Sequence, residues 1–357
     1  MNRVRRYMQE GVAEKVFPGA VLRVTVEGDT VFSEAFGYAR LRPTRKAMTE
    51  DTVFDLASLT KPLATTLSIM ILVEAGKIRL DQPLGDLIAE FLQTEKRDIT
   101  VRQLLSHTSG LPAYHPYYEI FRNLDPDRVK AALHQYLLRE PLVHPPGAAC
   151  LYSDLGFMIL QWVVEATTGR RLDDFTSRAV YGPLGMDGLF FNPLPCRRDV
   201  SYAATEDCPW RGKVLEGEVH DDNAYTMGGV AGHAGLFGTA QSVYGLLRQL
   251  LNAYHGLPDT DLFHPDTVKT FFKRPIPTAS WALGFDTPSR PDSSSGTYFS
   301  DRSVGHLGFT GTSFWMDLDR RIIVVLLTNR VHPERNNNRI KAFRPHLHDT
   351  VMKSLGK

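Results

Sequence analysis

The chain has 357 residues, with 41 Lys and Arg against 40 Asp and Glu and a formal net charge of +1. Its 43% hydrophobic and 23% charged residues are ordinary for a globular protein, which excludes a disordered chain, a collagen-like repeat and a coiled coil. The length allows about two or three domains, and the balanced charge argues against nucleic acid as a partner, because binding phosphates needs a basic surface. The start, Met1 to Met8, is basic but has no apolar stretch behind it. As it stands, the chain is expected to be cytoplasmic, or periplasmic or secreted if a leader was removed. Residues 4–16 predict an amphipathic helix ended near Pro18-Gly19, and residues 20–37 predict two strands turning at Gly28-Asp29. Residues 58–75 carry apolar side chains at helical spacing, opened by Ser58 and closed by Gly76. Leu104, Leu105 and Leu111 flank a polar loop at 106–110, and helices are predicted over 126–139 and 154–168.

Residues 188–222 are rich in Pro, Cys, Arg and Asp and read as an irregular loop region. A Gly-rich passage, 227–238, precedes a predicted helix at 240–254, and 287–298 is a loop. Strands follow over 304–317 and 321–328, then a final helix near 335–355. Strands at both chain ends with helices between suggest an α+β protein. Its mainly antiparallel sheet would combine residues 1–57 and 224–357, and the mainly helical insert would be 58–223. No apolar run reaches the roughly 20 residues of a membrane span, so no membrane partner is expected. Cys150, Cys196 and Cys208 form no CxxC or zinc pattern and read as incidental thiols.

The strongest chemical signal is Ser58-Leu-Thr-Lys61-Pro62. Positions i and i+3 share one helix face. A serine at a helix N-terminus sits where free N–H groups can meet a developing oxyanion, and a buried lysine with a lowered pKa can take its proton. An N-cap serine beside a solvated lysine fits the same four residues.

The surroundings of that motif narrow the reading. The stretches Thr52 to Thr66 and Glu74 to Leu84 resemble the serine β-lactamase and penicillin-binding-protein superfamily, in its class C-like branch. So do Leu104 to Pro112, Pro146 to Gly156, Gly305 to Ser313 and Leu327 to Arg330, in that order, with 94 residues between Ser58 and Tyr152 and 154 between Tyr152 and His306. The resemblance implies a β-lactamase/transpeptidase-like fold and a serine hydrolase working through an acyl-enzyme. It implies Ser58 as nucleophile, Lys61 and Tyr152 as the proton-transferring pair, and the backbone N–H groups of Ser58 and Phe309 as the oxyanion hole.

Two departures from the family pattern bear on substrate. Asp154 stands where Tyr-x-Asn is usual; a carboxylate cannot donate to a substrate carbonyl, but it can pair with Lys61 and hold it charged. His306-Leu307-Gly308 stands in place of Lys-Thr-Gly. His306 is only partly charged near neutrality at its ordinary pKa, Leu307 lacks the hydroxyl that helps hold a substrate carboxylate, and Gly308 lets substrate backbone approach. The resemblance associates His-x-Gly with esterases and D-amino-acid peptidases. A class C-type β-lactamase or penicillin-binding D-Ala-D-Ala carboxypeptidase is the alternative, and a covalent binder that acylates and stalls is the rival outside catalysis. Lower-ranked substrate contacts are His233 beside the cleft, and Asn329 and Arg330 against an anionic group; His107 reads as a loop-stabilising residue. His220 to Asn223 lacks metal-ligand spacing, so no metal or cofactor is expected. The expected partner is a small ester, amide or peptide, and the oligomeric state is left open.

Overall fold

A computed structural model describes residues 1–192, 200–257, 259–276 and 280–357. Cys196 lies outside them. The chain opens with helix α1 (Asn2–Ala13), somewhat shorter than its pattern. Strands β1 (Gly19–Val26) and β2 (Asp29–Arg40) pair as a hairpin, with the turn taken at positive φ by Glu27 and Gly28. After the short β3 (Lys46–Ala47), the Ser58 segment leads into helix α2 (Leu67–Glu74), which ends at Gly76 with φ +65°. Helices α3 (Pro126–Arg139), α4 (Asp154–Thr168) and α5 (Ala240–Tyr254) fall where the apolar spacing places them. The last stretch gives β4 (Val304–Leu307), β5 (Ser313–Asp317), β6 (Ile322–Thr328) and helix α6 (Ile340–Ser354).

The six strands form one antiparallel sheet in the order β3-β2-β1-β6-β5-β4. The two chain ends therefore meet at its centre, where Ala20 pairs with Thr328 and Val26 with Ile322. Both faces of the sheet are covered. Leu22, Val24, Ile322, Val324 and Leu326 pack on α1 and α6, while Val21, Ile323, Val325 and Leu327 belong to the larger core with α5 and the helical region. That two-sided burial explains why 322–327 is an unbroken apolar run rather than an alternating one. A second, three-stranded sheet joins Phe54–Asp55 and Leu189–Phe191 to Leu236–Gly238, tying the Gly-rich passage to the lead-in of the nucleophile. Among the described residues no helix is long and apolar enough to cross a membrane.

Several segments differ from their predicted form: the irregular 188–222 region supplies strand Leu189–Phe191 and the paired Asp207–Cys208 and Lys213–Val214, and the final helix starts at Ile340 rather than near 335. The strand predicted over 304–317 is broken at 308–312, where Gly308 N–H bonds Thr312 O at 2.7 Å and Gly311 takes φ +107°. Residues 304–317 are thus a hairpin with Phe309 at its tip. The helix predicted over 58–75 begins as a 3₁₀ turn, Ala57–Leu59, and widens to a π-helical turn, Lys61–Thr66, before becoming α-helical. Pro62 has no N–H to give to a regular ladder, and such widened turns recur at functional sites.

Candidate active site

Ser58 sits in the 3₁₀ turn, and the residue before it, Ala57, is held at φ +48°. That left-handed backbone is costly for a residue with a side chain. Buried Asp55 fixes it, accepting the Ala57 N–H at 2.8 Å through one carboxylate oxygen and the His220 N–H at 2.6 Å through the other. Its neighbour Thr60 ties back to Ala57 O at 2.6 Å. One helical turn on, Lys61 is fully buried, and its Nζ donates to Ser58 Oγ at 3.1 Å and to His233 O at 3.3 Å.

Tyr152 and Asp154 arrive from the mouth of α4. Ser153 caps that helix by accepting the Gly156 N–H, and its own N–H donates to His107 Nδ1 at 3.1 Å. His107 O also accepts the Leu151 N–H, so the polar 106–110 loop holds the tyrosine segment through its backbone. The Tyr152 ring lies 4.8 Å from Lys61 Nζ, and Asp154 Oδ1 pairs with Lys61 Nζ at 2.7 Å.

The protonation states follow from these contacts. Burial alone would lower the Lys61 pKa, but the Asp154 carboxylate and Tyr152 outweigh it, so Lys61 is held above its ordinary value as an ammonium. Burial raises the Tyr152 phenol, and Lys61 offsets this only in part. The lowered Lys61 of the general serine–lysine reading is therefore not found, whereas the pairing expected of Asp154, which holds Lys61 charged, is. His306 is pushed down to about 3 by burial and by Lys61, so it is neutral rather than partly charged. Its Nδ1 donates to Leu307 O at 2.8 Å, which leaves Nε2 as an acceptor with no hydrogen-bond partner among the described residues.

Two cavity lobes meet at Ser58, Tyr152 and Phe309. One, of about 390 Å³, is lined by Trp281, Asp286, His306, Leu307, Gly308, Arg330, Lys341 and Arg344. The other, of about 440 Å³, is lined by Tyr114, Asp154, His220, Asp221, Asp222 and Arg335. Phe309 is half exposed, with its ring between the His220 ring at 5.6 Å and the Arg330 guanidinium at 4.4 Å. No described hydrogen bond is donated by the backbone N–H of Ser58 or Phe309. Two unspent donors at a nucleophile are what an oxyanion requires.

Several predicted contacts have other duties. Asn329 is buried away from both lobes, where it accepts the Gly19 N–H and donates to Tyr38 O and Ala39 O across the sheet. Arg330 lines a lobe, but its Nε holds Phe309 O at 2.8 Å and its Nη1 holds Arg335 O and Asn337 O. His233 is buried, bonds Asp221 Oδ1 at 3.0 Å and lines neither lobe; it contributes its carbonyl to Lys61. A Cβ on Gly308 would meet Thr312 Oγ1 at 2.0 Å and Leu56 O at 2.7 Å, so the protein's own backbone makes the close approach there. Among the described residues no cluster of His, Cys, Asp or Glu has the form of a metal site.

Sequence reading missed Trp281, whose ring lies 5.2 Å from Tyr152, 4.7 Å from His107 and 5.4 Å from His306. It also missed Tyr114, Asp286, Lys341 and Arg344 as lining residues. None stands in a motif, so only the fold brings them to the serine.

The family model described as Beta-lactamase matches residues 4–345. The chain is 35% identical over 369 residues to the N-acetylmuramyl-L-alanine amidase of Bacillus subtilis (strain 168), spanning 90% of this chain and 80% of that one. It is 31% identical over 372 residues to an Escherichia coli O157:H7 protein whose name gives it a provisional D-alanyl-D-alanine carboxypeptidase activity, spanning 95% and 85%. In fold it is similar to the octameric penicillin-binding protein homologue from Pyrococcus abyssi, with TM-score 0.77, 20% identity and coverage of 100% of this chain and 77% of that one. It is likewise similar to EstCE1, a hydrolase with promiscuous acyltransferase activity, with TM-score 0.75, 22% identity and coverage of 96% and 98%. The order of motifs, the sheet drawn from both chain ends and a family match over nearly the whole length lead to one assignment: this chain belongs to the beta-lactamase family and is a serine hydrolase.

Proposed function

We propose that the protein cleaves an ester or amide through an acyl-enzyme on Ser58, as a carboxylesterase or D-amino-acid peptidase. The observation that carries this reading is Ser58 Oγ at the junction of two lobes, 3.1 Å from the Lys61 ammonium and next to two unspent N–H donors. One lobe takes the acyl part of the substrate and the other the leaving group. Ser58 attacks the carbonyl, and the Ser58 and Phe309 N–H groups receive the oxyanion. Neutral Tyr152 donates the proton that the leaving group needs, since it borders both lobes together with Ser58. Water in the vacated lobe then releases the acyl group.

The amidase and carboxypeptidase names among the relatives support amide or peptide cleavage. Leu307, with no hydroxyl, and neutral His306 weaken a dedicated β-lactamase reading, because they remove the polar clamp for a substrate carboxylate. The test is steady-state turnover of short-chain esters, D-amino-acid amides and a penicillin by the protein and by Ser58→Ala. Product well beyond one equivalent from an ester or amide is expected, with loss of at least about a thousandfold in Ser58→Ala. Undiminished hydrolysis in Ser58→Ala overturns the reading. One equivalent followed by arrest makes the protein a stalled binder, and preferred ring opening of the penicillin makes it a β-lactamase.

A further inference from the structure

The resting site contains no ready base. Lys61 is an ammonium, Tyr152 is a neutral phenol, and His306 and His107 are neutral imidazoles whose affinity for protons is depressed by burial and by Lys61. Ser58 must nonetheless lose its proton to attack. Among the described residues, the carboxylate joined to Ser58 through a single intervening group is that of Asp154. Ser58 Oγ lies 3.1 Å from Lys61 Nζ, and Lys61 Nζ lies 2.7 Å from Asp154 Oδ1.

We propose that Asp154 is the terminal proton acceptor of the acylation step, with Lys61 as the relay between it and Ser58. As the Oγ–C bond forms, an Nζ–H bond of Lys61 breaks toward Asp154 Oδ1, and the lone pair this frees on Nζ takes the proton of the breaking Oγ–H bond, while the π electrons of the substrate carbonyl move to its oxygen. Atoms and charge balance. The negative charge that leaves Asp154 reappears on the oxyanion, and Lys61 is an ammonium before and after. The cation therefore stays beside the reacting oxygen throughout. An isolated buried charge is never created, which in a water-poor site would cost several kcal/mol. When the intermediate collapses, Tyr152 gives its proton to the leaving group and takes one from Lys61 in turn, and Lys61 recovers the proton held on Asp154.

The surroundings suit such a relay. Lys61 is fully buried, and its remaining contacts are the His233 carbonyl, Tyr152, and the Tyr152 and Phe157 rings at 4.8 Å and 5.7 Å. Asp154 borders the lobe that also holds Tyr114, His220, Asp221, Asp222 and Arg335. Of these, Asp221 is engaged by His233 and Asp222 by Arg211 and Arg335, so neither competes for the Lys61 proton.

This inference rests on Ser58 as nucleophile, and its test separates the two. Acylation is followed in a single turnover across pH 5–10 in the protein, in Asp154→Asn and in Asp154→Glu. The amide can still hold Lys61 but cannot take a proton. Asp154→Asn should acylate about 100-fold more slowly at pH 7, the scale of a lost general base. Its rate should then climb with pH well past neutrality, because free Lys61 amine is now the only base. Asp154→Glu should restore the flat neutral profile. A rate and pH profile in Asp154→Asn equal to those of the unaltered protein overturn the relay. Should that variant fail to fold, the solvent-isotope dependence of the unaltered protein decides. Two protons moving together give a curved dependence on deuterium fraction, and a straight line overturns the proposal. Acylation that survives in Ser58→Ala defeats the nucleophile assignment itself.

Discussion

At the scale of single residues, the site is governed by which charges its burial tolerates. Asp286 lines the same lobe as His306, and burial pushes its carboxyl up to about 7, against the Thr287 N–H and Arg274, which favour the anion. A carboxyl that holds its proton more tightly when folded stabilises the fold below its unfolded pKa. That contribution is lost as the pH rises through about 7. Asp286→Asn keeps an oxygen for the Thr287 N–H and removes the ionisation. It should raise Tm by about 3 °C at pH 8, with the gain shrinking through pH 5 and vanishing only below about pH 4, as read by thermal melts across that range. That Ser58, Lys61, Tyr152 and Asp154 come together was legible from the order of the motifs that resemble the family. Their charge states were not, because these depend on the 2.7 Å contact between Lys61 and Asp154 and on full burial of Lys61.

At the scale of elements, the hairpin tip at 308–312 shows how a short turn sets the pocket. Gly308 lies against Leu56 O at the lead-in to the nucleophile turn, and Thr312 Oγ1 bonds that same carbonyl at 3.0 Å. Thr310 Oγ1 bonds Asp55 O at 2.8 Å. The tip and the serine turn are thus laced together, and Arg330 and Arg344 hold the tip from behind through Phe309 O and Thr312 O. Gly308→Ala should push the hairpin away from Ser58, costing about 2 kcal/mol of stability and most of the activity. Urea unfolding and initial rates check the two effects separately. Residues 304–317 read as one strand because apolar residues flank the break, and two glycines do not reveal which of them turns the chain. The helix after Ser58 was legible in extent but not in pitch, since a widened turn keeps the same apolar face.

At the scale of the whole molecule, the antiparallel sheet built from both chain ends was legible from the position of the β-branched runs. Its order was not, because pairing of Ala20 with Thr328 is a long-range fact that no local pattern encodes. Folding also buries several neutral histidines. Burial holds His134 and His348 at about 4 and His306 at about 3, and it holds His107 well below its ordinary value. The unfolded imidazoles take up protons near pH 6.5 while the folded ones do not, so unfolding binds protons and acid favours it. Asp286, Asp55 and Glu74, whose carboxyls burial raises, work in the opposite direction, against the larger set of lowered imidazoles, which also includes His332. The urea midpoint should therefore fall steadily from pH 7 to pH 5, and a flat midpoint would contradict the neutral burial of these rings.

Phe309 lines both lobes that meet at Ser58. In the proposed acyl-enzyme, departure of the first product leaves one chamber, of about 390 or 440 Å³, open while the other holds the tethered acyl group. Bulk water occupies about 30 Å³ per molecule, so the vacated side admits about a dozen waters or one small alcohol or amine. The choice between hydrolysis and handing the acyl group to another molecule is then a contest for occupancy of one chamber, decided by what that side retains rather than by the bond-making residues.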